Sequence, residues 1–250
     1  MATSKFFTVH VKPLLPMATQ IEPDKTDMVF GAGDVLFDWH AFQIPRGAAK
    51  LTDINTFMRG SQTEKTIDVY FARTFEGKAP ESIGTGNASA DGKGYYKNLC
   101  GVMSIPTGDW KEDLSNIHAA SCGHGAGSNQ SLTMVLEGEP HTGDNVGYDT
   151  LYIAATVGAG SGWNYSTGVL ANANTDINSA STFVTKTVDP RLFFDEGDTV
   201  HVHDSETAIG TVQSLTNDDI ILTANNKVAI SANDEIMNAH PIHMILSFER

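Results

Sequence analysis

Short runs in which every second residue is apolar constrain this chain more than any other feature. Ile67, Val69 and Phe71 alternate with Asp68, Tyr70 and Ala72, and Leu151, Ile153, Ala155 and Val157 repeat the pattern. On a pleated strand such residues share one face, so each run describes a half-buried strand. Further runs at 6–13, 35–44, 98–105 and 131–136 are short and bounded by turn residues. The sequence carries 23 Gly and 9 Pro, with many Asn, Asp, Ser and Thr between the runs. That punctuation suits strands joined by tight turns and leaves little room for long helices.

Two stretches depart from the alternation. In 48–59, Leu51, Ile54 and Met58 have helical spacing, but the strands on either side favour a long hairpin. Residues 109–122 are the best helix in the sequence. Asp109 stands as a cap with Glu112 three residues on, Trp110, Leu114 and Ile117 form one apolar face, and Gly123 ends the segment. Residues 158–180 are rich in Gly, Asn and Ser and read as a long excursion that holds Trp163 and Tyr165. Loops of that length in compact domains commonly make contacts, so this one is expected to carry an intermolecular interface.

From Leu192 onward the style changes. Short strands at 199–203, 209–215, 219–223 and 228–230 follow at regular spacing, parted by Gly197-Asp198, Asp204-Ser205, Asn217-Asp218 and Asn225-Asn226. The closing run places Ile242, Met244, Leu246 and Phe248 on one face and is expected to pair back into the main sheet. The expected architecture is all-β. A jelly-roll-like β-sandwich of residues 1–190 and 240–250 carries a small β-barrel module, residues 191–239, inserted before the last strand.

Composition narrows the partners. Thirty acidic residues against sixteen basic ones give a formal charge of −14. Phosphate backbones and anionic headgroups repel such a surface, so neither nucleic acid nor membrane is expected as a partner. No apolar run approaches the roughly 20 residues that span a bilayer as a helix. The first ten residues lack a continuous apolar stretch, so no signal peptide is expected. Cys100 and Cys122 match no zinc spacing, and two free thiols in a reducing compartment are the plainer expectation.

Several constellations contain residues able to carry chemistry. Gly197, His201, His203, Glu206 and Gly210 stand in an order that resembles the first metal motif of cupins. Two histidines two apart on a strand share a face and can chelate one ion, with Glu206 nearby. The spacers are shorter than in that family and no second motif follows, although His240 and His243 flank Pro241. With Val200 and Val202 facing a core, His201 and His203 are expected on the solvent face, without a bound ion. His118, Cys122 and His124 form a second cluster at the end of the expected helix. A Cys–His nucleophile needs an activating environment that nothing nearby supplies, so ordinary packing is expected there. The runs Gly123-His-Gly-Ala-Gly127 and Gly158-Ala-Gly-Ser-Gly162 lack the Lys-Ser/Thr of a phosphate loop. No catalytic, cofactor-binding or metal-ligating residue is assigned.

The segment 197–226 has the pattern Gly-Asp, a short strand, Ile-Gly-Thr-Val, then Ile-Leu-Thr-Ala-Asn. It resembles a small β-module found in virion proteins of tailed phages, marine cyanophages especially. Phe42-Gln-Ile-Pro-Arg-Gly-Ala-Ala-Lys-Leu51, Ile67-Asp-Val-Tyr-Phe-Ala-Arg73 and Gly94-Tyr-Tyr-Lys-Asn98 also resemble segments of such proteins. The resemblance implies a non-enzymatic virion structural protein without cofactor, made in the host cytoplasm. It would be a decoration protein on the outer capsid surface, binding the major capsid protein or other virion proteins and forming a homo-oligomer. The alternatives are a tail or neck protein that binds a receptor or sugar through Trp163 and Tyr165, and a cupin-like metalloenzyme.

Overall fold

The computed structural model describes residues 5–15, 29–59, 66–92, 94–114, 117–123, 134–139, 148–158, 163–164, 170–172, 180–184, 189–202, 208–232 and 234–250. Along the chain, the first strands are β1 (Phe6–Val11), β2 (Val29–Phe30), β3 (Val35–Pro45), β4 (Ala49–Arg59), β5 (Ile67–Arg73) and β6 (Leu99–Ile105). Next come β7 (Trp110–Leu114), β8 (Ile117–Gly123), β9 (Met134–Leu136), β10 (Tyr148–Val157), β11 (Trp163–Asn164) and β12 (Leu170–Asn172). The last are β13 (Thr182–Val184), β14 (Thr199–Val202), β15 (Ala208–Leu215), β16 (Asp219–Leu222), β17 (Glu235–Asn238) and β18 (Ile242–Glu249). The helical elements among the described residues are single 3-10 turns, at Tyr96–Asn98, Thr107–Asp109 and Pro190–Leu192. The protein is all-β.

Two antiparallel sheets face each other across one core. The first runs β1-β18-β4-β8-β7, with β9 also on β4, and the second runs β3-β10-β5-β6. Alternation decides which side chains meet between them. Leu151, Ile153, Ala155 and Val157 of β10 and Ile67, Val69 and Phe71 of β5 point inward from one sheet. Met244, Leu246 and Phe248 of β18 and Leu51, Ile54 and Met58 of β4 meet them from the other. At the sheet edge Phe7 stacks on Phe248 with ring centroids 5.1 Å apart. β18 sits between β1 and β4, so the C-terminal strand is central to the first sheet.

A smaller antiparallel sheet, β12-β17-β14-β15-β16-β13, closes on a second core. Phe193, Phe194, Val200, Ile209, Val212, Ile220, Leu222, Ile230 and Ile236 fill it. The two cores meet at β17. Ile236 belongs to the small core, whereas its neighbour Met237 belongs to the sandwich core. Every second residue of a strand changes face, so one strand serves both.

Several expectations need correcting. Residues 109–122 form no helix: after the turn at Thr107–Asp109 the chain makes β7 and β8, which pair with each other. Trp110 is buried from a strand instead. The 48–59 segment is a strand, but it forms no hairpin with β5, which lies in the opposite sheet. The small sheet begins earlier than residue 191, because β12 and β13 form its two edges. Residues 228–230 are not a strand, although Ile230 is buried; β13 takes the place beside β16, and β17 pairs with β14. The excursion 158–180 contains β11, paired with β2, and β12, paired with β17. The Trp163 side chain and all of Tyr165 lie outside the described residues.

Candidate functional site at the seam between the two cores

The cupin-like motif begins on β14. His201 pairs in register with Met237, whose side chain belongs to the sandwich core, while Val200 and Val202 stand opposite Asn238 and Ile236. The face expected to meet solvent therefore turns toward the sandwich, and His201 is only 6% exposed. His203 and Glu206 lie outside the described residues. Among the described residues, no group of three or more His, Cys, Asp or Glu side chains is placed to hold a metal ion.

The second expected cluster comes apart on β8. His118 and Cys122 share the inward face with Ala120, and both are buried. Four residues along a strand separate them by roughly 13 Å, too far for a nucleophile–base pair. Burial pushes the Cys122 thiol up, to about 12, and the nearby Asp109 carboxylate adds to the rise. A thiol held protonated at that level is a poor nucleophile. Cys100 is raised by burial as well, and both cysteines are free. His124 lies outside the described residues.

The polar residues that converge do so where the sandwich meets the small sheet. Asp198, 3% exposed, is the hub on the module side. Its carboxylate accepts hydrogen bonds from the Asp195 backbone N–H at 2.8 Å and from Asn238 Nδ2 at 2.6 Å. It also pairs with Lys12 Nζ at 3.3 Å, just beyond β1. Asn238 donates a second bond to the Phe193 carbonyl at 2.9 Å, and its Oδ1 accepts from the His240 N–H at 2.8 Å. From the end of β4, Arg59 pairs with Asp195 at 2.5 Å and donates to the Arg191 carbonyl at 3.1 Å. The strand ends of the sandwich are thus tied to one loop of the module by two cations, each on its own carboxylate.

Imidazoles surround these ties. His10 Nδ1 lies 3.0 Å from His243 Nε2, on neighbouring strands β1 and β18. The Phe57 ring flanks His243 from β4, with centroids 6.2 Å apart. His240 Nδ1 donates to the Lys12 carbonyl at 3.0 Å. His40, on β3, is close enough to His240 for charge on one to oppose charge on the other. Burial, then His240, lowers the His40 pKa; burial, then Lys12 and His10, lowers that of His243 against the pull of Asp195 and Asp198. Lys12, Phe57, Arg59, Asp195, His240 and His243 line part of a cleft of about 180 Å³ at this seam. Sequence reading singled out His240 and His243 only as spare metal ligands and missed His10 and His40. Nothing local marks these two, since more than 200 residues of chain separate His10 from its partner.

A second concavity, of about 390 Å³, lies beside β3 and is lined by Leu14, Asp38, Trp39, His40 and residues 84–86. Trp39 Nε1 donates to the Glu81 carbonyl at 2.8 Å, and Tyr95 packs edge-on against its ring at 5.7 Å. Both contacts fasten the 76–98 loop to the sheet, and Asp38 does the same by accepting from the Ile83 N–H at 3.0 Å.

No protein-family model matches this sequence, and no curated protein matches it. Among solved structures, the "Structure of infectious bursal disease virus Gx strain" aligns at 10% sequence identity with a TM-score of 0.17. The alignment covers 99% of this chain and 40% of that one. An overlap of that quality establishes neither a shared fold nor a shared function.

Proposed function

We propose that this chain is a non-enzymatic virion structural protein of a tailed phage, a decoration protein bound to the outer surface of the head. The observation that carries the reading is the segment 197–226, whose sequence resembles small β-modules of such virion proteins. The residues of that pattern have structural work to do. Gly197 turns the chain with φ +89°, in the left-handed region that favours glycine. A Cβ on Gly210 would sit 3.0 Å from Leu222 Cδ1, so a side chain there would press on the small core. Ile209, Val212, Ile220 and Leu222 are buried in that core. The formal charge of −14 agrees with a place outside the shell, away from packaged DNA.

Heads prepared without the chain provide the test. Purified protein added to them should bind to saturation at a fixed number of copies per head. Failure to bind, or co-purification with tails alone, would overturn the assignment to the head.

A further inference from the structure

We propose that the concavity beside β3 is a binding site for a neutral saccharide, with Trp39 as the ring platform and Asp38, His40 and Thr85 as the hydrogen-bonding wall. β3 is an edge strand of its sheet, and its pairing with β10 slips at this point. Ile153 pairs with His40 and Ala155 with Phe37, so Ala154 stands opposite two residues, Asp38 and Trp39. In a regular strand Asp38 and His40 would share one face and Trp39 would take the other. A bulge re-aims side chains, and here all three residues line one cavity of about 390 Å³.

The walls are held before any ligand arrives. Trp39, half-buried, donates from Nε1 to the Glu81 carbonyl and meets Tyr95 edge-on, contacts that fix the plane of its ring. It packs against Val35, Ile83 and Ala154. The 84–86 wall is tied to the start of β3, where Val35 N–H donates to Ala88 O at 2.8 Å and Asn87 N–H to Val35 O at 2.9 Å. A site built in advance loses less free energy to ordering when its ligand binds.

The lining selects the ligand. A sugar ring has apolar C–H faces and a rim of hydroxyls, each both donor and acceptor. The indole suits the faces. Asp38 is exposed and spends one carboxylate oxygen on the Ile83 N–H; the other makes no hydrogen bond among the described residues and can accept from a hydroxyl. Burial, then His240, lowers the His40 pKa, so at neutral pH its ring offers one N–H and one acceptor nitrogen. No Lys or Arg stands among the lining residues, so an anion would meet only the Asp38 carboxylate. An ammonium ion would use Asp38 and Trp39 but offers the His40 N–H no acceptor. An apolar ligand would enclose both polar groups without partners. The site draws on neither Trp163 nor Tyr165, and it does not depend on where in a particle the chain sits.

Nuclear magnetic resonance of the intact, nitrogen-15-labelled chain tests this through the Trp39 indole N–H, which Trp39→Phe identifies by its loss. The probes are D-glucose, D-galactose, D-mannose and N-acetyl-D-glucosamine, each as the single sugar and as a linear trimer. They are added to about 10 mM, well above the Kd of about 1 mM that a small, wet site reaches. At least one sugar should shift the Trp39 indole and the 84–86 amides saturably. Tighter binding of its trimer would assign the site to a polysaccharide, and equal binding to the free sugar. Asp38→Asn, which keeps an acceptor for the Ile83 N–H but loses the charge, should weaken binding by about tenfold. Thr85 is exposed and holds the Ala88 N–H through its carbonyl, so Thr85→Trp crowds the cavity with the loop bond intact and should abolish the shifts. Absence of a shift with every probe would overturn the proposal. So would shifts that persist undiminished in Thr85→Trp, or choline chloride producing the same shifts as strongly as the best sugar. Should Asp38→Asn fail to fold, the wild-type titrations and Thr85→Trp decide alone.

Discussion

On β8, His118 and Cys122 point into the core from the same face, and neither is suited to catalysis. The Cys122 thiol is buried and pushed up to about 12, so almost no thiolate exists at neutral pH. Alkylation by iodoacetamide at about pH 8 should leave Cys122 unmodified in the native protein and label it fully in denaturant. Rapid labelling of folded protein would show that the thiol is not enclosed as described. His118 presents the opposite problem. It is 5% exposed, and neither ring nitrogen has a hydrogen-bond partner among the described residues. A buried polar group left unsatisfied costs about 1–3 kcal/mol, and an apolar side chain of similar size removes that cost. His118→Leu should therefore keep or raise the melting temperature, with a gain of about 1 kcal/mol. A loss above that size would mean that the imidazole does have a partner.

At the scale of elements, most strands were legible because alternation survives in them undisturbed. β5 and β18 bury every second residue over most of their length, as the sequence pattern requires, and β10 does so from Asp149 to Ile153 before burying both faces as far as Val157. Where the pattern misled, the cause is a local irregularity. Leu51 and Ile54 have helical spacing because the pairing of β4 with β18 slips between Ser247 and Phe248, which face Asp53 and Leu51. Thr52 is the extra residue, and its hydroxyl donates to the Ser247 carbonyl at 3.1 Å. A bulge changes the face parity of a strand, so a spacing of three can keep both residues inside. The segment 109–122 misled for a related reason: its apolar residues belong to two paired strands, and reading across both produced a helical stripe. β18 supplies the test at this scale. Leu246→Ala, with Leu246 wholly buried between the sheets, should cost about 3 kcal/mol in denaturant unfolding. Ser247→Ala, one residue along and facing outward, should change stability by less than about 0.5 kcal/mol. Comparable losses at both positions would place the strand in the wrong register.

The molecule as a whole joins two cores through one strand and one polar seam. That arrangement explains which site residues sequence reading could reach. Alternation with Val200 and Val202 points His201 to solvent only if β14 has one dry face, whereas its second face meets the sandwich through the register with Met237. Asp198 read as an ordinary Gly-Asp turn residue, and its role as the seam's buried acceptor depends on Lys12 and Asn238 arriving from elsewhere in the chain. His10 and His40 gave no local signal at all. The proposed place on a phage head is tested most directly by cryo-electron microscopy of whole particles, tails included, from the proposed phage. A head-decoration role predicts repeated density on the outer capsid surface into which the sandwich and its small sheet fit. Density for the fold at the tail or neck alone, or in no part of the particle, would contradict it.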